Sequence, residues 1–148
     1  MAIKKVLVQE GTFTNFYQSS ITYNVGGKTF FLGLSVNKKF IISPITTDGK
    51  LNPSGAIDDG VFDDFYDFLQ VIYDPDNNQQ YLYGINISSK KLELFKILSN
   101  GKLESTRKYD YTAGSIKATT FYILKDELYY YSQSARNNAW DIHKYSDY

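Results

Sequence analysis

Gly11-Thr12-Phe13-Thr14-Asn15-Phe16-Tyr17 returns 49 residues later as Gly60-Val61-Phe62-Asp63-Asp64-Phe65-Tyr66, and the fold is read from this recurrence. Working outward, Phe30-Phe31-Leu32-Gly33-Leu34 matches Tyr81-Leu82-Tyr83-Gly84-Ile85. Further on, Asp48-Gly49-Lys50-Leu51 matches Asn100-Gly101-Lys102-Leu103. Three markers in one order define a repeated supersecondary unit. The second unit is slightly longer because it carries Asp74-Pro75-Asp76-Asn77-Asn78, whose proline and asparagines suit a turn.

A third, more diverged unit follows. Glu127-Leu128-Tyr129-Tyr130-Tyr131 takes the place of the Tyr81 segment, and Trp140-Asp141-Ile142-His143-Lys144-Tyr145 that of Leu92-Glu93-Leu94-Phe95-Lys96-Ile97. In the first unit the counterpart is Phe40-Ile41-Ile42-Ser43-Pro44-Ile45. The chain thus reads as a single repeat domain over residues 1–148, with units at about 11–59, 60–110 and 111–148.

Each complete unit reads as four strands: an aromatic first strand, a Leu/Tyr/Gly second, an alternating third and a fourth opened by Asp-Gly or Asn-Gly. Those two dipeptides predict type I′ hairpins, in which both central residues take positive φ. The third unit ends without a fourth strand. Residues 2–10 precede Gly11 as residues 51–59 precede Gly60, so the strand 2–10 is a candidate for the missing one. Strand sharing of this kind closes a β-propeller and removes its exposed edges. Three blades are too few to close a ring. The expected architecture is therefore an all-β propeller of three four-stranded repeats per chain, completed by homodimerisation into six blades. A β-trefoil is the alternative. The acidic, aromatic stretch 57–70 contains Gly60 and aligns with the first unit, which argues against an amphipathic helix there.

Composition agrees with strands: 14 Tyr and 10 Phe stand against a single Met, and aromatic rings fit a pleated, half-buried surface. Sixteen basic and sixteen acidic side chains cancel, which removes the electrostatic footprint of a nucleic-acid binder. No cysteine means no disulfide framework, thiolate zinc site or cysteine nucleophile. No apolar run reaches membrane-spanning length, so no membrane insertion is expected. The N-terminal apolar stretch is too short for a signal-peptide core. Cytoplasmic localisation is the default expectation, with secretion by another route the alternative.

The second unit resembles the blade of the tachylectin-2-type β-propeller lectins. The resemblance runs through Gly60-Val61-Phe62-Asp63-Asp64-Phe65, an apolar strand, Asp74-Pro75 and Tyr81-Leu82-Tyr83-Gly84-Ile85. It extends to part of the first unit, to Leu128-Tyr129 of the third, and to Ala2-Ile3-Lys4-Lys5-Val6 as a basic-apolar fourth strand. It implies binding of N-acetylated amino sugars at one site per blade, partly through an Asp-Asn-Trp segment. The first two units lack that segment, and Asn137-Asn138-Ala139-Trp140 approaches it in the third.

The candidate ligand-binding residues are therefore Arg136, Asn137, Asn138, Trp140 and Tyr131: a flat ring to stack on a sugar, a polar turn before it, and a tyrosine of the alternating strand. The repeat alignment supplies a competing reading for Trp140, which shares its position with Phe40 and Leu92 and so reads as core-facing. Alternation within Tyr129-Tyr130-Tyr131 sends these rings to both faces of a strand. His143 has no second His or Cys to share a metal. The Asp58-Asp59, Asp63-Asp64, Asp67 cluster matches no calcium loop. Gly26-Gly27-Lys28-Thr29 lacks the upstream glycine of a phosphate loop and reads as a hairpin turn. No metal, cofactor or catalytic constellation is expected. The function expected is a non-enzymatic lectin with a carbohydrate ligand; the alternative is a protein-interaction or scaffold module, such as a toxin or secretion-system accessory.

Overall fold

The computed structural model describes residues 4–110, 116–134 and 136–145. Eleven strands run β1 Ser19–Val25, β2 Lys28–Leu34, β3 Lys39–Ile45, β4 Asp58–Val61, β5 Phe68–Asp74, β6 Gln79–Asn86, β7 Lys91–Ile97, β8 Leu103–Asp110, β9 Ile116–Leu124, β10 Glu127–Ser134 and β11 Trp140–Tyr145. They form three antiparallel sheets of consecutive strands, ordered β1-β2-β3-β4, β5-β6-β7-β8 and β11-β10-β9. The chain is all-β with a repeated sheet unit, and among the described residues the only helical turn is a 3-10 turn at Pro53–Gly55.

The register bears out the alignment of the units. Leu34 pairs with Phe40, Ile85 with Leu92 and Gln133 with Trp140, so Phe40, Leu92 and Trp140 are equivalent places in three sheets. The glycine of the second strand has a steric reason. Added to Gly84, a Cβ would lie 2.5 Å from the Tyr66 ring, and added to Gly33 it would lie 2.8 Å from the Tyr17 ring. Each of the first two repeats thus lays its opening tyrosine on its second-strand glycine. Buried Tyr66 also donates its hydroxyl to Glu93, a buried carboxylate that accepts from Ser105 at 2.5 Å and has Lys108 Nζ at 3.8 Å. Those partners offset the cost of burying the charge.

By compactness the chain divides into two units, Met1–Phe65 with Leu98–Lys102, and Tyr66–Ile97 with Leu103–Tyr148. In the first, Tyr23, Phe30, Leu32, Leu34 and Ile42 form a buried face. Alternation explains the set, since paired residues two apart along strands share a face. In the second, Ile72, Tyr83, Ile85, Leu92 and Leu94 of the second sheet pack against Phe121, Ile123, Leu128 and Tyr130 of the third. Tyr83 and Phe121 have ring centroids 4.4 Å apart, and Phe121 and Tyr130 5.3 Å.

Three sequence expectations are corrected. First, the aromatic openings are connections: β1 begins at Ser19 and β5 at Phe68, because the rings are used to cover glycine. Second, the Asp48-Gly49 and Asn100-Gly101 turns are not type I′. Only the glycines have positive φ, +80° and +89°, and Gly49 N donates to Thr46 O as Gly101 N donates to Leu98 O. This is a type I turn closed by a glycine bulge. The type I′ turns are at Gly26-Gly27 and Lys125-Asp126, where both residues are left-handed. Gly26-Gly27-Lys28-Thr29 is thus the expected hairpin.

Third, the last strand of the first unit is cut short. Leu51 makes one bridge to Ile45, and Pro53, lacking an N–H, then ends the ladder. Asn52 caps the 3-10 turn by accepting from Gly55 N at 3.2 Å, and β4 resumes at Asp58. Within the single chain residues 4–10 lie in no strand; Ala2 and Ile3 are outside the described residues. What ties this segment down is a side chain: Gln9 donates to Leu51 O at 3.0 Å and accepts from Leu51 N at 2.8 Å, mimicking a strand partner.

Candidate functional site

The hairpin β10–β11 presents the residues singled out in the sequence. Its turn is closed by Ser134 N donating to Ala139 O at 2.8 Å, with Asn138 left-handed at φ 58°. Asn137 Oδ1 accepts from Ala139 N at 3.1 Å, so its side chain shapes the loop. Arg136, Asn137 and Asn138 are exposed around this turn.

Trp140 is 64 % exposed, where the equivalent Leu92 is 0 % exposed. The core-facing expectation for Trp140 is therefore corrected. In the second sheet this face is covered by the third; in the third sheet the same face looks outward. Trp140 instead lies against Tyr131, centroids 6.3 Å apart and planes at 30°. Tyr131 is half-buried and Tyr130 buried, the split that strand alternation demands. Along the same outward face Tyr122 and Tyr129 stack at 5.1 Å and 4°. The arrangement is a flat aromatic strip with a polar turn at one end.

A second recess was not foreseen. Between the second and third sheets lies a cavity of about 340 Å³, lined among others by Asp74, Tyr81, Lys96, Glu104, Arg107 and Asp126. Asp74 is buried and holds its own turn, accepting from Asp76 N at 3.0 Å and Asn77 Nδ2 at 2.9 Å. Asn77 also donates to Asp126, which joins the β5–β6 and β9–β10 turns at the mouth. Burial raises the Tyr81 hydroxyl above its ordinary range, with the Asp74 carboxylate adding to the effect and Arg107 opposing it. The residues named come from four strands and a turn, so no local spacing announces them. The one signal available was Lys96, whose repeat partner is Lys144.

The remaining candidates find ordinary places. His143 is exposed, with Nδ1 3.5 Å from Asp141. Asp67 accepts from Ile87 N at 2.8 Å, and Asp64 from its neighbour Phe65 N at 2.9 Å. Among the described residues no group of three or more His, Cys, Asp or Glu side chains is placed to hold a metal ion. None of their helices is long and apolar enough to cross a membrane. The chain matches no known family model and no curated protein.

Proposed function

We propose that this chain is a non-enzymatic carbohydrate-binding protein that works as a homodimeric β-propeller of six blades. The observation that carries the sugar reading is Trp140: a tryptophan at a position buried in the second sheet is turned to solvent beside Tyr131 and the Arg136–Asn138 turn. A flat ring stacks on the apolar face of a pyranose, and neighbouring guanidinium and carboxamide groups bond its hydroxyls. The likeness of the second unit to tachylectin-2-type lectins supports N-acetylated amino sugars as the class. The propeller is supported over the trefoil by sheets built, among the described residues, of consecutive strands. The cleft lined by Tyr81, Lys96 and Arg107 is a further candidate, a recess of sugar size.

Titration with N-acetylglucosamine, followed by tryptophan emission and calorimetry, tests this reading. Trp140 is the only tryptophan, so binding on the strip must change emission. Arg136→Ala is expected to weaken binding roughly tenfold, the cost of one charge-assisted hydrogen bond. Heat of binding with unchanged emission moves the site to the cleft; no heat with any member of a glycan array removes the lectin reading.

One observation favours a protein-interaction role as the second reading. Tyr122, Leu124, Trp140 and Ile142 are all large, exposed and on the third sheet, and a clustered apolar surface marks a contact site.

A further inference from the structure

We propose that the half of the third sheet's outward face next to the Lys125-Asp126 turn, built on Tyr122 and Tyr129, is the seat for the 46–50 turn of a second copy of this chain. The argument is that the chain already makes this contact once with itself. In the first compact unit, Tyr23 and Phe30 stack at 5.8 Å, and the segment Leu98–Lys102 lies on them. Tyr23 donates its hydroxyl to Gly101 O at 2.5 Å. The Phe30 ring lies so close that a Cβ on Gly101 would approach it to 2.6 Å, and Gly26 of the neighbouring hairpin would bring a Cβ within 3.5 Å of Ser99 O.

Both halves of that contact exist a second time. Tyr122 pairs with Tyr129 as Tyr23 pairs with Phe30, and each pair is followed by a type I′ turn at the same distance, Lys125-Asp126 in place of Gly26-Gly27. Tyr122 is 37 % exposed where Tyr23 is 3 %. The second half is the 46–50 turn. It repeats the Leu98–Lys102 turn bond for bond, with Thr46 N to Lys50 O at 2.8 Å matching Leu98 N to Lys102 O at 2.9 Å. Gly49 has the conformation of Gly101 but is exposed, with nothing within 4 Å of a Cβ placed on it. A seat and its plug thus stand unused on one polypeptide.

Each tip carries one charge of either sign, Asp48 with Lys50 at 3.0 Å in the turn and Lys125 beside Asp126 in the hairpin that would receive it, so the contact sets no net like charges against each other. In the docked pair the Tyr122 hydroxyl donates to Gly49 O of the second copy. The contact is made twice about a two-fold axis, which closes the assembly at two chains. Trp140 lies at the opposite end of the strip, at the place of Phe40, which is half-buried under Phe62 at 4.2 Å and not under the turn. The sugar platform and the docking seat therefore use different ends of one face.

This inference rests on the dimeric ring but not on sugar binding, and the test separates the two. The chain has no cysteine, so Thr47→Cys with Lys125→Cys introduces the only thiols, at the places of Ser99 and Gly26. Oxidation of the double variant is expected to give a covalent species of twice the 17.0 kDa chain mass, while each single variant stays at chain mass. Light scattering is expected to show a dimer for the parent and a monomer for Tyr122→Arg, with unchanged far-ultraviolet circular dichroism. A dimer that survives Tyr122→Arg and does not cross-link overturns the docking seat and leaves the ring standing. A parent chain that is monomeric at micromolar concentration overturns both, whatever the sugar titration gives.

Discussion

Tyr23 shows how one residue couples packing to pH. It is 3 % exposed, and its hydroxyl is spent on Gly101 O. Burial raises its pKa well above the ordinary value of 10.0, with Asp58 adding to the rise. In the unfolded chain a tyrosine loses its proton near pH 10. Above that pH the folded state holds a proton that the unfolded state has released, so stability falls as pH rises. This contribution is fully present below pH 10 and is lost by up to about 1.4 kcal/mol per pH unit beyond it. Urea unfolding at about pH 9 and about pH 11 is expected to show a smaller loss for Tyr23→Phe than for the parent. The variant should begin about 1 kcal/mol lower, for want of the hydrogen bond. Equal losses would mean that Tyr23 keeps no proton that the unfolded chain gives up.

Hairpins that share a register can differ in how their turns are filled. The β1–β2 hairpin places Gly26 and Gly27 at φ 59° and 72°, which costs glycine little. The β9–β10 hairpin asks the same of Lys125 and Asp126, at 52° and 62°. A side-chain-bearing residue in the left-handed region is disfavoured by about 1–2 kcal/mol, partly offset by the greater entropy glycine loses on folding. Asp126 recovers something by accepting from Asn77. Lys125 contributes its backbone N–H to Asp76 at 2.9 Å, a bond that any residue but proline keeps. Lys125→Gly is therefore expected to stabilise the fold by about 0.5–1 kcal/mol, read as a raised urea midpoint with unchanged slope. A lowered midpoint would show that the lysine side chain matters more than its backbone strain.

For the whole molecule the question is what the N-terminal segment does. In the described chain it is anchored by Gln9 to the backbone of Leu51, where a lone bridge to Ile45 gives way to a 3-10 turn. The ring reading gives residues 2–10 the task of completing the third sheet, which ends at β11, in the partner chain. Deleting residues 1–10 is then expected to abolish the dimer and expose an edge prone to association. A truncated chain with the parent's oligomeric state and melting temperature would assign the segment to the Gln9 anchor alone.

Much of this was legible in the residues themselves. The match of Phe30–Leu34 to Tyr81–Ile85, and the alternation around Gly33 and Gly84, located the central strands and their equivalence, because backbone pairing and period-two burial act through near neighbours, whereas the openings at Gly11 and Gly60 proved to lead into strands and not to form the first ones. Three things were not legible. The turn type at Asp48-Gly49 depends on whether one or both central residues turn left-handed, and the dipeptide suits either. The exposure of Trp140 depends on which sheet faces lie against one another; its repeat position matched Leu92, yet the face that is covered in the second sheet looks outward in the third. The cleft around Tyr81 gathers Asp74, Lys96, Arg107 and Asp126 from segments far apart in the chain. Local pattern determines strands and their pairing, whereas burial and convergence are set by contacts between sheets, which no stretch of sequence contains.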